Sequence, residues 1–345
     1  MRKVIFILVA LLAAALQGRA QTQAITAGED STINVVAWFN KNDTTEYVYT
    51  KSDVLVSDGD TTRTGNTEEM FRLVVADSTS DGYRLKFEPI SWKSDNSKDS
   101  LKSSLMWAAK SQAPVVFDTN EYGKIERLEK WRDVRDKAIP AITGYFEKLY
   151  AKNPAIDSIM PKKNYLSLLR LGFNNEDAIR EMYSEVTGLF SCHGKAFNIG
   201  MTNDEDSTTG YPTHLTTIVS YEDVDTTDAE SYLGDYFIRN SSIVTIPSDE
   251  AKALTNSLLG TILSKDFSDK TESFINDSID MPMELRLLTD YHFFYSGWPK
   301  LVRKQTIVKV GEIWTNVATE TIEWNRYRWN EPDDDQPDGG GQTDL

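Results

Sequence analysis

The chain has 345 residues, 37 Lys and Arg against 53 Asp and Glu, a formal charge of -16, and one cysteine, Cys192. A single cysteine excludes a disulfide scaffold and a multi-cysteine metal site, and the acidic balance excludes a general nucleic-acid binder, which needs a basic face to displace counterions. Eight Trp, fifteen Tyr and fourteen Phe are ample core material for one large or two medium domains.

Residues 1–20 read as a secretory signal. Arg2 and Lys3 make a positive start, Val4 to Leu16 form an apolar run, and Gly18-Arg19-Ala20 gives small residues before a cut that leaves Gln21 first. No cysteine follows the run to carry a lipid anchor, and no later run approaches the roughly 18 apolar residues of a membrane span. The cut removes Arg2, Lys3 and Arg19 and no acid, so the exported chain is more acidic than its precursor.

A first β-rich unit is expected over 21–128. Tyr83, Leu85 and Phe87 alternate with Arg84, Lys86 and Glu88, the period of a strand with one buried face. Asp81-Gly82 turns that strand back onto Met70 to Ala76. Val35 to Phe39, Tyr47 to Val56 and Val115 to Phe117 read as further strands, with turns at Asp58-Gly59-Asp60 and Asn120 to Gly123. A helix is expected over Lys98 to Lys110, with Ser97 as its N-cap.

The segment 129–191 is helical in pattern. Ile179, Met182, Tyr183, Val186, Leu189 and Phe190 recur at three and four, forming one apolar stripe that Asn174 or Asn175 can cap, with Glu176 and Asp177 in the first turn. Pro140, Pro154 and Pro161 are expected to divide the region into several helices.

A second β-rich unit follows over 192–329, with strands at Ala196 to Met201, Thr213 to Glu222, Ser231 to Ile246 and Pro282 to Trp324. A helix from Ser248 to Lys265 turns Leu254, Leu258 and Ile262 inward, and Tyr291, Phe293 and Tyr295 share one strand face. Residues 330–345 form an acidic tail with two prolines and a glycine triplet, expected to be disordered. The fold class is therefore α+β: antiparallel curved sheets with a central helical segment, either as two duplicated units or as one mixed fold.

Asp, then Ser or Thr, then Ala, Ile, Leu, Val, Met or Thr recurs well above chance, with middle hydroxyls at Ser31, Thr44, Thr61, Ser78, Ser100, Ser158, Ser207, Thr226 and Ser278. Such hydroxyls in exposed turns are accessible to glycan transfer, although Asp-Ser and Asp-Thr are also good turn formers. His193, His214 and His292 match no zinc spacing, and Cys192 beside His193 reads as a buried structural thiol. Asp204, Asp206 and Thr208 imitate the start of a calcium loop, but Thr209 stands where glycine is required, leaving a solvated acidic loop. No metal, cofactor or catalytic residue is assigned. Trp92, Trp107, Trp298 and Trp314, with Trp324, are the ligand-binding candidates, able to line a concave sheet.

The signal with Gln21, the repeated tripeptide, and the order meander, helix, aromatic hairpin resemble the uncharacterised secreted and periplasmic proteins of Bacteroidota. That resemblance implies a periplasmic, or else extracellular, protein with O-glycans on the tripeptide hydroxyls. The first 150 residues are also similar, at the level of fold, to lipoprotein-carrier half-barrels, which implies a curved sheet wrapping helices around an apolar cavity. The expected function is a non-enzymatic cell-envelope binding or carrier protein for a hydrophobic or glycan ligand. Alternatives are an envelope protein-protein interaction or structural protein and, less favoured, a hydrolase using carboxylates. Expected partners are thus a small apolar or glycan ligand or an envelope protein, without nucleic acid and without an integral membrane span.

Overall fold

The computed structural model describes residues 32–57, 60–95, 107–111, 115–159, 161–164, 166–167, 173–206, 211–222, 234–253, 282–311 and 314–328. The segments expected as signal and acidic tail, most of the helices expected at 98–110 and 248–265, and Asp58-Gly59 lie outside these residues. Short helical pieces at 107–110 and 248–253 fall within those two expected helices.

Alternation in the first third yields β1 (Thr32–Asn34), β2 (Thr44–Ser57), β3 (Asp60–Thr79), β4 (Gly82–Ser94), β5 (Val115–Thr119) and β6 (Ile125–Leu128). The β3–β4 hairpin turns through Ser80-Asp81, with Thr79 opposite Gly82. Gly82 has φ 145°, and a Cβ there would lie 2.1 Å from the Thr119 carbonyl, so only glycine lets β5 pass this close. Val35 to Phe39 joins no strand ladder, contrary to expectation. Its backbone is shared among three loops instead: Val35 N–H donates to Lys195, Ala37 to Tyr122 and Trp38 to Ser296.

The central helices are α1 (Trp131–Lys152), α2 (Ala155–Ile159), α3 (Glu176–Arg180) and, after a 3-10 turn over Glu181–Tyr183, α4 (Ser184–Leu189). Pro140 does not divide the helices; it sits inside α1. It is exposed, so the Asp136 carbonyl that loses its partner can be solvated, which makes the proline tolerable. Asn175 caps α3, its Oδ1 accepting from Ala178 N–H at 2.8 Å. The expected apolar stripe is buried throughout, from Ile179 at 0% exposure to Met182 at 4%, despite the change of helix type midway.

The last third gives β7 (Ala196–Asn198), β8 (Gly200–Asp206), β9 (Thr213–Tyr221), β10 (Tyr236–Ile246), β11 (Met283–Phe293), β12 (Pro299–Val310) and β13 (Trp314–Arg328). Tyr291 and Phe293 stack, but Tyr295 leaves the strand face, lying in the turn that Phe294 and Gly297 close, and is exposed. Asp204 to Asp206, expected as a loop, belong to β8.

Eleven strands form one antiparallel, unclosed sheet in the order β6-β5-β4-β3-β2-β13-β12-β11-β10-β9-β8, while β1 pairs with β7. The two β-rich stretches are therefore halves of one sheet, joined where β13 pairs with β2 from Trp314 opposite Ser57 to Arg328 opposite Thr44. Ile322 stands in this seam, buried against the helical layer near Gly188. Ile322→Ala should cost about 2–5 kcal/mol by the usual loss on truncating a buried aliphatic side chain. Urea unfolding followed by tyrosine and tryptophan fluorescence and by circular dichroism should show it, with both probes following one transition because the ladder is unbroken across the seam.

Candidate functional site on the inner face of the sheet

The register aligns one rung across eight strands: Trp92, Glu69, Tyr49, Ile322, Val302, Tyr291, Ile238 and Val219. Period-2 alternation places all of them on the face that packs against the helices. Most are apolar and join the cores that hold Phe71, Phe87, Tyr183 and Phe190 on one side and Phe293 on the other. Glu69 is the exception, a carboxylate 5% exposed.

Glu69 is matched by two further buried charges. Lys110 Nζ lies 3.1 Å from Glu69 Oε2 and 2.9 Å from Glu185 Oε1, tying the turn at 107–110 to β3 and to α4. Burial opposes the Lys110 ammonium, yet Glu185 and Glu69 together hold it above the usual lysine range. Glu185 is pushed up, first by burial and then, against the pull of Lys110, by the Glu69 charge. One ammonium meets two carboxylates in a dry site, so burial and the neighbouring negative charge favour the protonated form of Glu185 while Lys110 stays charged. Tyr49 is also raised, by burial first and then by Glu320, Glu185, Glu69 and Asp53.

The next inner rung is polar. Thr67, Lys51, Glu320, Lys304, Thr289, Asn240 and Thr217 follow one another across seven strands. Lys51 and Glu320 pair at 3.0 Å, and Thr217 donates to Asn240 at 3.0 Å. Beyond this belt lies a second apolar cluster of Val244, Ile246, Ala251, Met283, Leu285 and Val308. Leu215 and Leu287 stand between belt and cluster, Leu55 stands in the cluster's own rung with Val308, Leu285 and Val244, and all three are only half-buried. Among the described residues the inner face thus carries a filled aromatic core, a charged belt and a partly exposed apolar floor.

The tryptophans do not act together. Trp298 is core, 1% exposed and stacked on Phe39 at 4.0 Å, so it cannot line an open surface. Trp92 is half-buried at the end of the first rung, and Trp107 is half-buried one turn before Lys110. Trp314 opens β13 opposite Val310 and Ser57, and Trp324 packs edge-on to Phe294. Among the tripeptide hydroxyls, Thr61 and Ser158 are exposed, Ser78 donates to the Phe39 carbonyl, and Thr44 donates to Asn42. Ser31, Ser100, Ser207, Thr226 and Ser278 lie outside the described residues.

Cys192 is sealed beside the apolar core, and burial pushes its thiol up to about 12, which leaves it unreactive. His193, with no exposure, has Nε2 2.9 Å from the Gly297 carbonyl, the arrangement of a neutral ring donating from Nε2. Burial lowers it to about 4. Phe39, Phe190 and Phe293 ring it, and Gly123 and Gly297 leave room for the loops that meet there. Two clefts open elsewhere on the surface: about 680 Å³ beside Tyr150, Asp157 and Lys162, and about 570 Å³ beside Arg84, Trp131 and Arg132. Among the described residues no group of three or more His, Cys, Asp and Glu is placed to hold a metal ion, and no helix is long and apolar enough to cross a membrane.

Sequence reasoning did not find the Glu69, Lys110 and Glu185 cluster, although a signal existed. Glu69 sits on the buried parity of Phe71, Leu73 and Val75, and Glu185 lies three residues after Met182 and four before Leu189, within the apolar stripe.

No protein family and no curated protein matches the chain. Its fold is similar to a solved structure of lipovitellin, described as one of lipid-protein interactions, at a TM-score of 0.39 and 9% identity. The match covers 84% of this chain and 26% of that one, so this chain spans about a quarter of its length.

Lys110→Met should destabilise the protein by about 3–5 kcal/mol, the usual cost of leaving buried carboxylates without their cation. Adding Glu69→Leu and Glu185→Leu should recover most of that loss in the same urea titration. His193 gives a separate pH signature. Its folded value lies below its unfolded one, so the unfolded chain binds the extra proton first as pH falls. Stability should therefore drop between about pH 6.5 and 4, by roughly 3 kcal/mol in total at 1.36 kcal/mol per unit. Glu185, shifted upward, works in the opposite sense above its ordinary value, so the comparison is with His193→Gln. That variant keeps a neutral donor and should lose the histidine share of the slope.

Proposed function

We propose that the protein is a non-enzymatic cell-envelope binding or carrier protein that holds a hydrophobic or glycan-bearing ligand on the inner face of its sheet. The observation that carries this reading is the half-covered floor of Leu55, Leu215 and Leu287, bounded by the charged belt of Lys51, Glu320 and Lys304. Partly accessible leucines beside a buried apolar cluster are what an apolar chain would cover, while the partly exposed belt can meet a polar head or sugar. A binding rather than a hydrolytic role is favoured because the strongly shifted groups, Glu185, Cys192 and His193, are shut away from solvent instead of facing a cleft. The secretory signal supports placement in the periplasm after cleavage at Ala20-Gln21. Exposed Thr61 and Ser158 are the described hydroxyls best placed to carry O-glycans.

A second reading, an envelope interaction protein, rests on Trp38, Tyr122 and Tyr295, exposed by 71%, 45% and 53%. Backbone bonds from Ala37 to Tyr122 and from Trp38 to Ser296 bring their loops together.

Native mass spectrometry of protein purified from its own host is expected to show loss of residues 1–20, added hexose-type masses and a dissociable lipid or glycolipid. In parallel, N-phenyl-1-naphthylamine should bind the delipidated protein, and Leu287→Glu should weaken that binding at least tenfold. An unmodified ligand-free mass together with no probe binding would overturn the carrier reading.

A further inference from the structure

The two edges of the sheet are treated differently. At the β6 edge, side chains close the open backbone: the Leu128 N–H donates to Glu176 Oε1 at 2.6 Å, and Arg180 Nη1 donates to the Glu126 carbonyl at 3.0 Å. Both groups come from α3, which thereby denies that edge to any further strand. At the other edge, β8 runs for seven residues paired to β9 from Gly200 opposite Val219 to Asp206 opposite Thr213. Among the described residues no strand pairs with its outer side. Every second residue of an edge strand directs its N–H and C=O outward, so among the described residues the outer ladder of β8 is unfilled.

The side chains of β8 say what would fill it. Met201 is 65% exposed, and Asn203, Asp204 and Glu205 are exposed beside it. Asp204 faces the same side as Leu215, and Glu205 the same side as His214, whose Nδ1 is 3.4 Å away. Asp204 has no cationic partner among the described residues. A second copy of β8 would bring more acid to an acidic edge, whereas a basic strand would neutralise it.

We propose that β8 is a β-augmentation site that accepts an extended, basic segment of a partner protein as a twelfth, antiparallel strand. Antiparallel pairing, the geometry of every ladder in the sheet, fixes the pattern. Adjacent basic residues stand opposite Glu205 and Asp204, and an apolar residue three positions further on stands opposite Met201. Backbone hydrogen bonds supply the binding, while the charges choose the partner and its register.

The test uses the full exported chain and the labelled peptide acetyl-Thr-Lys-Arg-Thr-Thr-Ile-Thr-Tyr-amide, with a control carrying Glu-Glu in place of Lys-Arg. Fluorescence anisotropy should show saturable binding of the basic peptide and at least tenfold weaker binding of the acidic one. The surface double variant Asp204→Lys with Glu205→Lys should invert that preference. N-methylation of alternate peptide amides should abolish binding in one register and leave it unchanged in the other, which charge attraction alone would not do. Binding that ignores both the charge swap and the methylation register, no binding at all, or dimerisation of the chain through β8 in analytical ultracentrifugation would overturn the proposal.

Discussion

The antiparallel pairing of β2 with β13 is the contact on which the rest of the sheet depends. It joins residues 44–57 to 314–328, strands separated by most of the chain, and closes a loop whose entropy must be offset elsewhere. Local hairpins form β2–β3–β4 on one side and β11–β12–β13 on the other; neither group alone has more than part of a buried face. Once the seam forms, Tyr49, Ile322 and Val302 stand in one row, and the α3–α4 stripe can lie across both halves. Tyr47 reinforces the junction by donating across it to the Pro299 carbonyl at 2.9 Å. Such a topology is rich in distant contacts, so folding should be slow relative to a helical protein of the same length.

The buried charges then act on register more than on net stability. Replacing a buried ion cluster by well-packed apolar side chains is often neutral or favourable, so the triad is poorly explained as a source of stability. Its geometric demand is more informative. A one-residue slip of β3 would turn Glu69 to the solvent face, leave Lys110 with one partner and move Phe71 and Leu73 out of the core. On a strand as long as β3, where apolar alternation fades between Asp60 and Asn66, a single buried ion pair penalises that slip. The bulges at Asp53/Val54 and Met70/Phe71 adjust the same strands locally without changing which face Glu69 occupies.

Where burial is one-sided and regular, the sequence was legible. Tyr83, Leu85 and Phe87 declared their strand, and Ile179 to Phe190 declared their stripe, because hydrophobic period directly reports a face turned from water. Val35 to Phe39 misled for the same reason: Val35, Ala37 and Phe39 alternate and are buried, but their backbone bonds are divided among loops rather than given to a ladder. Pro140 misled because a proline's effect depends on which side of the helix it faces. The single sheet was not legible at all, since strand pairing between distant segments leaves no local trace. The inner floor was missed in favour of tryptophans because aromatic content cannot distinguish Trp298 in the core from a side chain on a surface.

Charge shows the same dependence on placement. On the outer face, acids are commonly answered across strands: Glu46 and Glu88 by Arg72, Asp118 by Arg84 and Arg127, Asp290 by a two-point contact with Arg239. These pairs are partly exposed and add little stability each, but they leave little uncompensated field over the middle of the sheet. Acid without such an answer then has meaning by position. At Asp204, next to Glu205 with its His214 contact, it borders the outer side of β8, where like charge repels another copy of the same edge and opposite charge would be drawn in. Among the described strands, the placement of each acid is therefore more informative than the formal total of -16.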